Sequence, residues 1–225
     1  MRVSVRQAQS PVKNQQDRPT CVAFAMTALH EAVCIARERS GCETGIALSE
    51  EFLFYHCKGR DGLRQGVTGT TMSAAAASLD IEGQSLEDLH PYRAGSANFG
   101  SIAPSAAAIA DARNRLLSGL RQTAVSLAGL ERSLRNGNPV VAVLDWYSNS
   151  YLAPSGWIDM PKSGDRLLGR HAILLVEMED EARLGKQAIV FKNSWGVKWG
   201  DRGFGSFCFD YLTSYGRELW TLQKR

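Results

Sequence analysis

The tightest constraint on this chain is a segregation of patterns: helical spacing fills its first half and strand-like runs fill its second. From Cys21 the run CVAFAMTALHEAVCIARER is apolar on most faces. It predicts a central buried helix over about 21–39, ended by Ser40-Gly41. Ser49 stands as N-cap of a second helix over 50–58, with Phe52 at its third position. TTMSAAAASLDIEG predicts a third helix over 71–82, closed by Gly83. His90-Pro91-Tyr92 reads as a turn or extended segment. Residues 94–105 are small and flexible in composition and read as a connection. A short helix stopped at Asn136-Gly137 follows. Strands are then predicted over about 139–146, 171–179, 187–195 and 203–211, with 147–169 as a surface loop. Helices first and strands later argue for an α+β fold, in one domain over 1–225. Its two lobes are a helical one over 11–100 and a β-rich one over 101–222.

Charge removes several function classes. The net charge is +3, and no run of five Lys or Arg occurs. Neither nucleic acid nor a membrane is an expected partner. No stretch approaches the roughly 18 apolar residues of a spanning helix. The opening MRVSVRQAQSPVKN holds no signal-peptide core. The expected location is cytoplasmic, with export by a route this chain does not encode as the alternative. Five cysteines, an odd count, favour reduced thiols. No Cys/His spacing fits a metal site, so none is expected.

One cysteine has unusual company. Cys21 opens the strongest helix, where the macrodipole favours a thiolate, and Gln15 stands upstream of it in NQQDRPTC. His171 begins a strand, and Asn193 ends the next one within KNSWG. A base needs a third group to hold its tautomer, and an Asn oxygen does so without adding negative charge. The Gln15 amide and the Cys21 backbone N–H are then suited to an oxyanion. Cys34, Cys57 and Cys208 read as core residues, Cys42 lies in a turn, and His30, His56 and His90 read as structural.

These residues fall within a longer resemblance. PVKNQ at 11–15, C-x-A-F-A at 21–25, LSEEFL at 48–53, HA at 171–172 and KNSWGVKWGDRGFG at 192–205 follow one another in order. Over about residues 10–222 the chain resembles papain-family cysteine peptidases of the bacterial branch, and the Cys21-to-His171 separation fits that family. The resemblance implies the papain-like two-lobe fold, a helical lobe facing an antiparallel, barrel-like β lobe across a cleft. It implies Cys21 as nucleophile, His171 as acid and base, Asn193 as its orienting partner and Gln15 at the oxyanion. Trp195 is expected to shield the Asn–His bond and Trp199 to line the primed side of the cleft. Neither metal nor organic cofactor is required.

The departures are specific. The family signature carries Cys three residues before the nucleophile, Gly two before and Trp just after; here these are Arg18, Pro19 and Val22. The disulfide of that upstream Cys is therefore missing. The substrate-pairing Gly-Gly strand is matched loosely by Gly69-Thr70-Thr71. Arg170 precedes His171, where it is expected to oppose imidazolium formation if close and to favour acidic substrates. Apolar pocket walls are expected near Val140, Ala172 and Tyr211. With no inhibitory propeptide read before the domain, control is expected from a regulatory protein partner, from a parent chain or from substrate access. The leading expectation is a cysteine endopeptidase acting on peptides or proteins. An amidase, deconjugase or acyltransferase would use the same site, and a catalytically silent binding module is the reading from another class.

Overall fold

A helix that is apolar all round has to be packed from every side. In the computed structural model, which describes residues 2–37, 45–61, 68–95, 102–151, 153–181 and 186–223, helix α1 (Cys21–Ala36) is buried from Val22 through Cys34. Helices α2 (Glu50–Arg60) and α3 (Met72–Ile81) pack beside it, and Leu29, Leu53, Phe54 and Leu79 share one cluster. Each such side chain contributes about 1.5–3 kcal/mol by burial. Ser49 caps α2 by accepting from Phe52 N at 2.9 Å. Thr71 caps α3 by accepting from Ala74 N at 3.2 Å. The helix stop read at Ser40-Gly41 and the turn at Cys42 lie outside the described residues, as do 96–101 of the expected connection.

Helix α4 (Ala106–Ala112) carried no pattern strong enough to read. It belongs with the helices, laying Ala108 and Ala112 against Phe52. Gly83, at φ +74°, makes this approach possible, because a Cβ there would collide with the Ala112 carbonyl.

The rest of the chain builds one sheet. Its elements are β1 (Arg2–Ser4), β2 (Leu120–Thr123), helix α5 (Leu127–Arg135), β3 (Val140–Tyr147), helix α6 (Ser148–Tyr151), β4 (Trp157–Ile158), β5 (Leu167–Glu181), β6 (Lys186–Lys192), β7 (Phe204–Cys208), helix α7 (Phe209–Tyr215) and β8 (Gly216–Leu222). The strand order is β2-β8-β3-β5-β6-β7-β4, with β1 added to β5. Pairings are antiparallel except β4 with β7. The α+β fold is as expected, but the barrel-like lobe is an open, mixed sheet. Its edges, β2 and β4, are 4 and 2 residues long and do not pair with each other.

Alternation along β3 and β5 decides where the core sits. Val141, Val143, Ala172, Leu174 and Val176 join the cluster around α1. Val140, Ala142, Leu144, Ile173 and Leu175 join a second cluster with Phe191, Phe207 and Tyr211. The strand read over 187–195 stops at Lys192 because Asn193 turns its side-chain oxygen onto Ser194 N, at 2.8 Å. The strand read over 203–211 stops at Cys208, where α7 begins. Cys34, read as a reduced thiol, is disulfide-bonded, and its partner lies outside the described residues. Cys21, Cys57 and Cys208 are thiols.

Candidate active site

The first turn of a helix exposes N–H groups that need partners. At the start of α1 the cap residue Thr20 offers its side chain to none of them. Those of Cys21 and Val22 bear instead on the Cys21 sulfur, together with the N–H of Ala172 from β5. Burial pushes the Cys21 thiol up, and the three backbone N–H groups oppose it. The helix start alone therefore does not make this thiol acidic.

Antiparallel pairing of β5 with β6 sets Leu174 opposite Lys192. This brings His171 to Asn193, and His171 Nε2 meets Asn193 Oδ1 at 2.8 Å. An amide oxygen only accepts, so Nε2 carries the proton and Nδ1 is the basic nitrogen. The imidazole is 6% exposed. Burial lowers its pKa to about 4, against the opposing hydrogen bond of Asn193. Trp195 lies over it at 4.8 Å and 34°, and Trp146 meets it edge-on at 4.9 Å. Trp195 is thus beside the Asn–His pair as expected. Trp146 is a member of the same box that no motif announced. Trp199 stands edge-on to Trp195 at 5.5 Å and donates its indole N–H to Tyr151 O at 3.3 Å.

Gln15 is held between the two halves of the molecule. Its backbone N–H donates to Ser194 O at 2.8 Å, and Ser194 Oγ donates to Gln15 Oε1 at 2.5 Å. One amide hydrogen of Nε2 goes to Arg18 O at 2.9 Å. The second is left over.

Cys21 and His171 line one cleft of about 330 Å³, together with Gly69, Thr70, Arg170 and Ala172. Lys58 Nζ donates to Gly69 O at 2.9 Å, and both Thr70 and Thr71 bond to Asp61, so this segment is braced from α2 and its cap. Val143 supplies the expected apolar wall. Val140 and Tyr211 do not, because they face the second core cluster on the other side of the sheet. Glu218 of β8 also lines the cleft, through its register with Val143. No local signal marked it, since only strand pairing brings it there. Arg170 reaches Asp145 at 3.9 Å, and Asp145 also pairs with Arg217. Burial and Asn193, rather than Arg170, set the basicity of His171.

Beneath Asn193 lies a group of buried charges that sequence reading did not connect. Lys192 Nζ donates to Ser10 O at 2.8 Å and Ser10 Oγ at 2.9 Å. Ser10 bonds to Glu31, which with Glu50 accepts from Lys13 Nζ at 2.8 Å. Burial lowers Lys192 to about 8. The network ties the N-terminal segment, α1, α2 and the end of β6 at one point. Among the described residues no group of three or more His, Cys, Asp or Glu forms that would hold a metal.

Known proteins share this arrangement of chain. A solved structure of xylellain, a cysteine protease from Xylella fastidiosa, superposes with a TM-score of 0.88 at 23% identity, over 100% of this chain and 86% of that one. Digestive procathepsin L 3 of Tenebrio molitor gives a TM-score of 0.75 at 21% identity, over 99% of this chain and 69% of that one. In sequence, digestive cysteine proteinase 2 of Homarus americanus is 30% identical over 88% of this chain and 57% of its own length. The cathepsin L-like proteinase of Fasciola hepatica is 28% identical over 86% of this chain and 55% of its own length. The chain thus spans little more than half of these two relatives. The model of the papain family cysteine proteases matches residues 1–216, so the chain belongs to that family.

Proposed function

We propose that this chain is a cysteine endopeptidase of bacterial type, with Cys21 as nucleophile. The observation that carries the reading is the His171 Nε2 to Asn193 Oδ1 bond, which frees Nδ1 as a base in the cleft that Cys21 lines. As Cys21 Sγ bonds to the substrate carbonyl carbon, its proton passes to His171 Nδ1. The carbonyl oxygen gains the negative charge and takes hydrogen bonds from Cys21 N–H and the second Gln15 amide hydrogen. The C–N bond then breaks, and the leaving amine takes the His171 proton. Water repeats the cycle on the thioester: His171 removes its proton, hydroxide adds to the carbonyl, and the carboxylic acid leaves Cys21 as thiol. Trp146 and Trp195 keep bulk water from the Asn193–His171 bond.

Two charges in the cleft ask for opposite substrates. Arg170 favours an acidic side chain, but Asp145 blunts it. Among the described residues Glu218 is hydrogen-bonded by the neutral indole of Trp220, at 2.8 Å, with no cation paired to it, so we take it as the stronger selector, for a basic side chain. Gly69 and Thr70 are proposed to flank the substrate backbone, with Ala172 beside them and Trp195 and Trp199 on the primed side. The Tenebrio neighbour is a proform, and control here is proposed to come from a covering segment or a partner protein. The disulfide at Cys34 suits an oxidising setting, which favours export over the cytoplasm.

The test is cleavage of a diverse peptide library, with Cys21→Ala as control and mass spectrometry as readout. Cleavage by the wild type alone supports the reading. Products joined to an added amine would make the protein an acyltransferase, and no turnover with slow alkylation of Cys21 would make it a binding module.

A further inference from the structure

Arg18 stands where the family signature carries a cysteine, three residues before Cys21, and it is 3% exposed. A guanidinium is not buried without strong partners. Here both terminal nitrogens bond the Glu51 carboxylate, one of them at 3.1 Å, and Glu51 is itself 2% exposed. One nitrogen also donates to Arg93 O at 2.8 Å. The guanidinium lies over the Tyr92 ring, 4.8 Å from its centroid. Tyr92 in turn donates its hydroxyl to Gln15 O at 2.8 Å and meets Thr20 Oγ1 at 2.9 Å. Its ring packs edge-on against Phe24 of α1 at 4.8 Å.

The main chain of Arg18 closes the loop. Its carbonyl accepts from Thr20 N at 2.8 Å and from Gln15 Nε2 at 2.9 Å. The Gln15 side chain is thus fixed at both ends, by Ser194 at its oxygen and by Arg18 at one amide hydrogen. The plane of the amide, and the direction of its remaining hydrogen, depends on where the Arg18 carbonyl stands. A bidentate Arg–carboxylate pair sets orientation as well as distance.

We infer that Arg18, clamped by Glu51 and Tyr92, is a positioning residue for the oxyanion donor Gln15. In this chain an ion pair over an aromatic ring holds the loop that the family signature ties with a disulfide. The inference rests on the peptidase reading above.

The test compares the full chain with Arg18→Lys, Tyr92→Phe, Gln15→Ala and the double variant Arg18→Lys/Gln15→Ala. Three quantities are read: kcat and KM on a peptide amide, affinity for a peptide aldehyde, and the rate of Cys21 alkylation by iodoacetamide. The aldehyde forms a tetrahedral adduct that needs oxyanion donors, whereas alkylation forms none. Arg18→Lys is expected to lower kcat and aldehyde affinity together by about ten-fold or more, part of the 10²–10³ that such a donor supplies. KM and the alkylation rate stay within about two-fold. Tyr92→Phe, a milder change, is expected to repeat the pattern at smaller size. The double variant is expected to be no worse than Gln15→Ala, because Arg18 acts through Gln15. Alkylation falling in step with kcat, or losses that multiply in the double variant, would overturn the inference. A wild type that neither cleaves peptides nor binds the aldehyde would overturn the peptidase reading and this inference with it. A competent wild type with unaffected variants overturns this inference alone.

Discussion

The two walls of the cleft are held by different forces. On the helical side, Cys21 opens α1, and Gln15 and Gly69–Thr71 sit on segments tied by charge-assisted hydrogen bonds: Arg18 to Glu51, Lys58 to Gly69, and Thr70 and Thr71 to Asp61. On the sheet side, His171 is held by strand register and by an aromatic box of Trp146 and Trp195. Under the proposed function, the first wall offers hydrogen-bond donors to a developing charge and the second keeps a base neutral. A nucleophile backed by donors and a base kept from bulk water then call for these two kinds of support.

Removing the chemistry from either wall gives the largest effects. Cys21→Ala is expected to lower kcat/KM by about 10⁴-fold or more, with the fold intact by circular dichroism. Any residual cleavage above that level would place the nucleophile elsewhere. Asn193→Ala takes away the acceptor that holds the His171 tautomer. A fall in kcat of about 10²-fold is expected, the lower end of a general-base contribution because His171 itself remains, with KM nearly unchanged.

Wetting the dry wall sharpens the comparison further. His171 is held at about 4 by burial, so the acid limb of kcat/KM is expected near pH 4. Trp195→Ala admits water and should move that limb upward, toward the roughly 6.5 of a free imidazole. An unmoved limb would mean that burial by the box is not what lowers His171. The same shift acts on stability. Between about pH 4 and 6.5 the unfolded chain holds the His171 proton and the folded chain does not, so stability rises with pH across this window and falls as pH drops. Urea midpoints should decline over that range, and His171→Gln should decline less.

The smallest effects concern selection. Glu218→Gln is expected to reduce the preference for a basic side chain by several-fold, a rim charge being worth about 1 kcal/mol. Arg170→Ala is expected to change the preference for acidic substrates less, because Asp145 already shares its charge. The reverse order, read from cleavage-site profiles, would return Arg170 to the leading role.

Much of this molecule is legible in its residues alone. The course of α1, the Ser49 and Thr71 caps and the blocks at 11–15 and 192–205 depend on neighbours a few positions apart, and periodicity and capping report such neighbours directly. Cys21, His171, Asn193 and Gln15 stand out as candidates for a related reason, since each sits in a distinctive local motif. The short α4 and β2 were missed because too few residues carry their pattern.

What only the tertiary structure decided are relations across long separations. The face of β3 that lines the cleft follows from pairing, which is why Val143 stands where Val140 was expected. Trp146 and Glu218 carry no local mark, because their places come from partners distant along the chain: His171 and Trp195 for Trp146, and Val143 for Glu218. Arg18 stood out in the sequence only as a departure from the family signature. Its partner Glu51 became visible once α2 was packed against the loop, because a buried charge is explained only by what it faces.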